Sequence, residues 1–122
     1  MAQGPRLRFA KSPPKAAPDR VARTLFPDGN RLELVVKVTG KSGIEAYGFA
    51  FAGAPVVMSG GEGAFFATRG DKRLLEWVMV GQPGGHMKVT VENGEQTVAE
   101  RDESTIPAGF GKGYDALDIL VL

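Results

Sequence analysis

Apolar and polar residues alternate along several short stretches of this chain, and each stretch ends at residues typical of turns. The longest covers residues 31–39, where leucine or valine at every even position is flanked by mostly polar side chains. Another covers residues 86–92 and is followed at once by Asn93-Gly94, the dipeptide most typical of a tight hairpin. A period of two residues indicates a strand with one buried side. Both stretches are therefore predicted to be half-buried strands.

Two further stretches place large apolar residues on a single side. In the first, Tyr47, Phe49 and Phe51 share one side of an extended segment, and Gly48, Ala50 and Ala52 share the other. In the second, Leu75, Trp77 and Met79 oppose Leu74, Glu76, Val78 and Val80. Successive side chains of a strand point to opposite faces, so we expect the sides with the aromatic residues to meet the core.

Shorter strands are predicted at residues 56–58, 64–68 and 96–100, and a last strand at residues 114–122. Turn-forming residues separate these segments: Lys41-Ser42-Gly43, Arg69-Gly70-Asp71-Lys72 and Gln82-Pro83-Gly84-Gly85. No segment of ten or more residues has the period of a helix. Seven or eight short strands at spacings of about 8–12 residues predict an all-β fold, an antiparallel β-sandwich in the Ig-like or jelly-roll style. Its single domain is expected to span residues 20–122.

Basic and acidic residues are distributed unevenly along the chain. Residues 1–31 hold seven Lys or Arg against two acids, whereas residues 32–122 hold eight against twelve. Four prolines within residues 1–19 interrupt any helix or central strand there. We therefore predict that residues 1–19 form a basic, extended or disordered arm on a mildly acidic body.

The segment between arm and body is open to two interpretations. A short helix from Pro18 to Leu25 would place proline at its first position, where it is well tolerated. An edge strand from Val21 to Phe26 is the alternative. In either case Pro27-Asp28-Gly29-Asn30 predicts a turn just before the first strand.

Catalytic signatures are missing from the sequence. There is no cysteine, and the only histidine, His86, begins a predicted strand without a nucleophile elbow nearby. The glycine-rich Gly109–Gly113 lacks the spacing of a phosphate-binding loop, and Arg69-Gly70-Asp71 is ordinary turn chemistry. We expect no enzyme activity, no cofactor and no metal. With no apolar leader and no apolar run long enough for a span, we expect a soluble, cytoplasmic protein.

The arm is then the first candidate for function. Its predicted contact residues are Arg6, Arg8, Phe9, Lys11 and Lys15. They would mediate self-association or docking on a partner protein, with Leu7 and Phe9 pairing as a strand on a neighbouring subunit. The same charges would also suit the phosphates of nucleic acid or an anionic surface, although Phe9 is the only aromatic residue before position 26.

A ligand-binding function is the alternative. The predicted loops 53–63 and 101–113 would form a site for a carbohydrate or another small ligand. Tyr114, at the mouth of the last strand, would stack on a sugar. Asp102 and Asp115 would contribute carboxylates, and in one version of this hypothesis they would bind calcium.

Overall fold

The computed structural model describes residues 31–121, which form one antiparallel β-sheet of six strands and no helix. The strands are β1 (Arg31–Phe51), β2 (Ala54–Val56), β3 (Glu62–Thr68), β4 (Lys72–Asn93), β5 (Gln96–Thr105) and β6 (Lys112–Leu120). The sheet does not close on itself. The predicted all-β, antiparallel class is therefore confirmed for this part of the chain, while the proposed arm lies outside the described residues.

Two long strands organise the sheet. β1 has 21 residues and β4 has 22, and the two pair along nearly their whole length. β3 pairs with the beginning of β1 and β2 with its end, whereas β6 pairs with the beginning of β4 and β5 with its end. The sheet thus has a first half (β3, β1 to residue 39, β4 from residue 86, and β5) and a second half (β2, β1 from residue 46, β4 to residue 80, and β6).

The joint between the halves lies where two turns were predicted. The pairing of β1 with β4 shifts register repeatedly between Thr39 and Ala46, and glycines with positive φ, Gly43 (75°) and Gly84 (83°), lie in this region. A Cβ at Gly81 would overlap the carbonyl oxygen of Gly43, so only glycine fits there. The chain bends at this point without reversing. The described residues therefore form six strands rather than seven or eight, since two predicted pairs of strands are continuous.

One hydrophobic core spans the inner faces of both halves. It contains Leu32, Leu34, Val36, Phe49, Phe51, Val56, Phe65, Ala67, Leu75, Trp77, Met79, Met87, Val89, Val91, Ile106, Leu117, Ile119 and Val121. The alternation predicted for the four longest stretches is confirmed. Phe51 of the second half packs on Phe65 of the first half with ring centroids 4.5 Å apart, so the two inner faces meet.

The hairpin predicted at Asn93-Gly94 is present. Asn93 pairs with Gln96, and Gly94 takes the positive φ that a tight turn requires. Two neighbouring predictions need correction. β5 continues to Thr105, so the predicted loop 101–113 is reduced to residues 106–111, and the last strand begins at Lys112 rather than at residue 114.

The turn at residues 69–72 also has a different role from the one predicted. The amide of Gly70 donates to the carbonyl oxygen of Val121 (2.7 Å), and that of Asp71 donates to Thr68 (3.1 Å). The strands that it joins, β3 and β4, do not pair with each other, so it is a corner between the halves rather than a hairpin tip. The short strand predicted at 56–58 is observed as β2, two residues earlier.

Candidate functional site

The outer faces of the two halves have different chemistry. On the first half, the Lys37 Nζ lies 3.0 Å from Glu92 Oε1, and the Lys88 Nζ lies 3.8 Å from carboxylate oxygens of Glu100 and Asp102. The hydrogen bond and the charge of Glu92 raise the pKa of Lys37. Charged side chains paired across strands are the usual way in which a sheet meets water. This face is therefore an ordinary solvated surface.

The outer face of the second half exposes several large apolar side chains. Val78, Val80 and Tyr114 expose 47%, 44% and 59% of their surface, and Leu74 exposes 38%. The backbone register places Val78 between Gly48 on β1 and Tyr114 on β6. A row of large side chains thus stands beside a row of small ones, and the difference in height forms a groove.

This groove has a volume of about 300 Å³. It is lined by Gly48, Phe49, Ala50, Gly53, Pro55, Glu76, Trp77, Val78 and Tyr114, and we call these residues the apolar groove. Its floor is low because Gly48 and Ala50 have almost no side chain. The same small residues that alternate with the core aromatics of β1 therefore shape the groove on the opposite face.

A polar pair lies within the apolar groove. The phenol of Tyr114 donates a hydrogen bond to Glu76 Oε1 (2.9 Å), and this bond raises the pKa of Tyr114. The two residues come from neighbouring strands and lie on the same face, so the bond restrains the ring above the groove. An exposed aromatic ring with an adjacent carboxylate can stack on one flat partner and accept a hydrogen bond from it.

Asp115, the next residue of β6, points to the inner side, where its carboxylate accepts hydrogen bonds from other residues of the chain. The indole Nε1 of Trp77 donates to Ser104 Oγ (2.9 Å), and that hydroxyl donates to Asp115 Oδ2 (2.8 Å). The amide of Ala116 donates to Asp115 Oδ1 (2.8 Å), and Arg101 Nε lies 3.3 Å from Oδ2. This network joins β5 of the first half to β6 of the second half.

The three residues predicted to bind a ligand do not converge. Tyr114 lies on the outer face of the second half, Asp115 points to the inner side, and Asp102 lies beside Lys88 on the first half with 80% of its side chain exposed. Residues 31–121 contain no group of three or more His, Asp or Glu side chains arranged to hold a metal ion. The predicted arm residues Arg6 to Lys15 lie outside the described residues.

The apolar groove is not evident from the alternation within any one strand, because its two rows of residues belong to different strands. The signal was present, since Leu74, Val78 and Val80 are apolar on the side opposite the core, and Gly48 and Ala50 are small on the side opposite the aromatics. Only the register of β1 against β4 brings these two rows together.

The chain matches no family model, no curated protein and no solved structure. The described residues contain no helix that could cross a membrane.

Proposed function

We propose that this protein is a non-catalytic assembly module, in which the basic arm of one copy (residues 1–19) docks in the apolar groove of a second copy. The observation that carries the proposal is the exposed apolar face itself. Val78, Val80 and Tyr114 are exposed on a sheet whose other face already forms the core. A contiguous apolar patch of this kind is typical of an interaction surface.

Charge favours the arm as the occupant. Residues 1–31 carry seven bases against two acids, and residues 32–122 carry twelve acids against eight bases. Two carboxylates, Glu76 and Asp118, lie on the same face as the groove, and Lys72 and Lys112 lie on that face at the two ends of the β4–β6 pairing. Opposite charges steer the encounter, and the apolar Leu7 and Phe9 within the arm supply surface to bury.

Length allows the arm to reach another copy. Thirty residues precede β1, and a chain of that length spans up to roughly 100 Å when extended. A domain of about 90 residues has a radius of gyration of only ~12 Å. Exchange of arms between two copies would bury both grooves and close a symmetric dimer.

We also propose that the bent sheet corresponds to the predicted β-sandwich, with the two halves as its layers. Two contacts between the halves support this arrangement: the Phe51–Phe65 ring pair and the hydrogen bond from Trp77 to Ser104. Inner faces of packed sheets interdigitate in this way.

Light scattering coupled to size-exclusion chromatography tests the assembly proposal. The full chain should have the mass of a dimer or a larger assembly, whereas a 20–122 truncation and a Val78→Lys variant should both be monomers. Val57→Lys is the matched control, because Val57 is 84% exposed and does not line the groove; this variant should keep the mass of the full chain. A monomeric mass for the full chain, or a dimer that persists in the Val78→Lys variant, would contradict the proposal.

A carbohydrate or small-ligand site is the second candidate, and one observation favours it. Gly53 and Pro55, from the predicted loop 53–63, line the same groove as Tyr114. A sugar stacked on Tyr114 would have the Glu76 carboxylate beside it as an acceptor. A glycan array with and without chelator tests this idea. Binding lost in Tyr114→Ala but kept in Phe110→Ala, an exposed aromatic outside the groove, would support it.

A further inference from the structure

β6 forms an open edge of the sheet, since among residues 31–121 it pairs with β4 and with no other strand. The amide of Gly81 donates to the carbonyl oxygen of Gly111 just before β6 begins (3.0 Å). Because hydrogen bonding alternates along an antiparallel pair, the odd residues of β6 bond to β4, and the even residues point their backbone groups away from it. An open edge of this kind is a template for a strand of another chain. We call the outward groups the β6 edge; they belong to Lys112, Tyr114, Ala116, Asp118 and Leu120.

Two side chains cover the middle of the β6 edge. The amide of Ala116 donates to Asp115 Oδ1 (2.8 Å), and the carbonyl oxygen of Ala116 accepts a hydrogen bond from Arg101 Nη2 (2.6 Å). The Arg101 Nε lies 3.3 Å from Asp115 Oδ2, so the two side chains also hold each other in place. Both backbone groups of the central residue are therefore already bonded, and we call Arg101 and Asp115 the edge cap.

A second copy of β6 is the strand that suits this edge. The two strands can pair antiparallel with Tyr114 opposite Ala116 of the second copy. The same register places Lys112 opposite Asp118, and the two-fold symmetry repeats both matches. Opposite charges directly across from each other stabilise such a pair, and the small Ala116 leaves room for the tyrosine ring. The outer side of β6 is thus complementary to itself.

The inner side of β6 has the contrary character. In the same register, Asp115 lies directly opposite Asp115 of the second copy, and like charges in that position destabilise a strand pair. We propose that the edge cap prevents β6 from pairing with β6 of a second copy. Arg101 occupies the carbonyl oxygen of Ala116, and Asp115 occupies its amide and adds the repulsion. This inference does not rest on the assembly function, because it concerns an edge of the sheet and not the apolar groove.

Light scattering coupled to size-exclusion chromatography tests the proposal in a Val78→Lys background, where a lysine blocks the apolar groove. Adding Arg101→Thr with Asp115→Thr removes the cap and its charge, and the mass should double. Lys88→Thr with Asp102→Thr is the matched control, because it also removes one ion pair between β4 and β5 (3.8 Å) and leaves the edge cap intact. Its mass should equal that of the background. An unchanged mass after removal of the cap, or a doubled mass in the control, would overturn the proposal.

Amide hydrogen exchange, followed by NMR in the unaltered full chain, tests the cap without any substitution. The Ala116 amide should exchange at least tenfold more slowly than the amides of Tyr114 and Asp118 on the same edge, because Asp115 accepts its hydrogen bond. Equal exchange of the three amides would overturn the proposal: uniformly slow exchange would mean that the edge is already paired, and uniformly fast exchange would mean that the cap does not hold. Neither result depends on whether the apolar groove mediates assembly.

Discussion

The two halves of the sheet share the same two long strands, yet their outer faces differ. On the first half, Lys37 pairs with Glu92 and Lys88 lies near Glu100. On the second half, Val78 is exposed beside a floor of glycine and alanine. The inner faces have the same alternation and join a single core. The fold therefore requires the inner pattern in both halves, but it does not require an apolar outer face in either.

This difference separates folding from function within one sheet. A strand that only needs to meet water can carry charges on its outer side, as the first half does. Exposed Val78 and Val80 add nothing to the core, and an apolar exposed face increases the risk of aggregation. We therefore assign the outer face of the second half to contact with a partner.

The largest expected effect is at the joint between the two halves, where β1 and β4 approach each other most closely. A Cβ at Gly81 would overlap the carbonyl oxygen of Gly43, a backbone atom at the joint that cannot move alone. Gly81→Ala should therefore lower the free energy of unfolding by about 3 kcal/mol or more. Urea denaturation measures this loss.

The control for that variant is Gly48, which lies on β1, the strand that also carries Gly43. A Cβ at Gly48 meets nothing within 4 Å and needs no positive φ, so Gly48→Ala should leave the free energy of unfolding within about 0.5 kcal/mol of wild type. Comparable losses for the two alanine variants would show that the joint is not a special position.

A smaller effect is expected where a polar network ties the halves together. Ser104→Ala removes the acceptor of the Trp77 indole and a donor to Asp115, and Ser104 is fully buried. Leaving a buried donor unpaired costs about 1–3 kcal/mol. Chemical denaturation should show this loss in Ser104→Ala and almost none in Thr105→Ala, whose side chain is exposed. Equal stability of the two variants would mean that the network contributes nothing to the contact between halves.

The smallest effect concerns the polar pair within the apolar groove. Ionisation of Tyr114 would break its hydrogen bond to Glu76 and bring two negative charges together, so its pKa is raised above the ordinary value of about 10. Glu76→Gln removes the charge, and the pKa of Tyr114 should fall toward that value. The ultraviolet absorbance of tyrosinate, followed against pH with Tyr114→Phe as the blank, measures the change.

The same shift has a defined consequence for stability. A pKa raised in the folded state means that the folded protein holds the phenolic proton more tightly than the unfolded chain does. The stabilising contact is therefore complete below pH of about 10 and is lost as pH rises through the raised pKa. Unfolding free energies that are flat across this range in the wild type would contradict the bond between Tyr114 and Glu76.

Local patterns predicted most of the inner face. Leu34, Trp77 and Val89 are buried where a period of two residues placed them, because the pleat of a strand sets side-chain direction whatever the strand pairs with. The Asn93-Gly94 hairpin was predictable for a similar reason, since Gly94 tolerates positive φ. These features depend only on residues close together in the chain.

Strand number and the candidate site were harder to predict. Gly43 and Gly84 belong to segments whose composition is typical of turns. Both nevertheless lie inside long strands, because the β1–β4 pairing continues past them. Tyr114 and Asp115 were predicted together as ligand residues, but Asp115 takes part in a network with Ser104 that no local pattern reveals. Partners distant in sequence decided both outcomes.

The sequence by itself determined which side of each strand is apolar, and it determined the division of charge between residues 1–31 and the remainder. Tertiary structure alone decided that Gly48 lies beside Val78 and that Val78 lies beside Tyr114, and so where a groove forms. The physical reason is that side-chain direction follows from local backbone geometry, whereas register is set by the combined packing and hydrogen bonding of strands far apart in the chain.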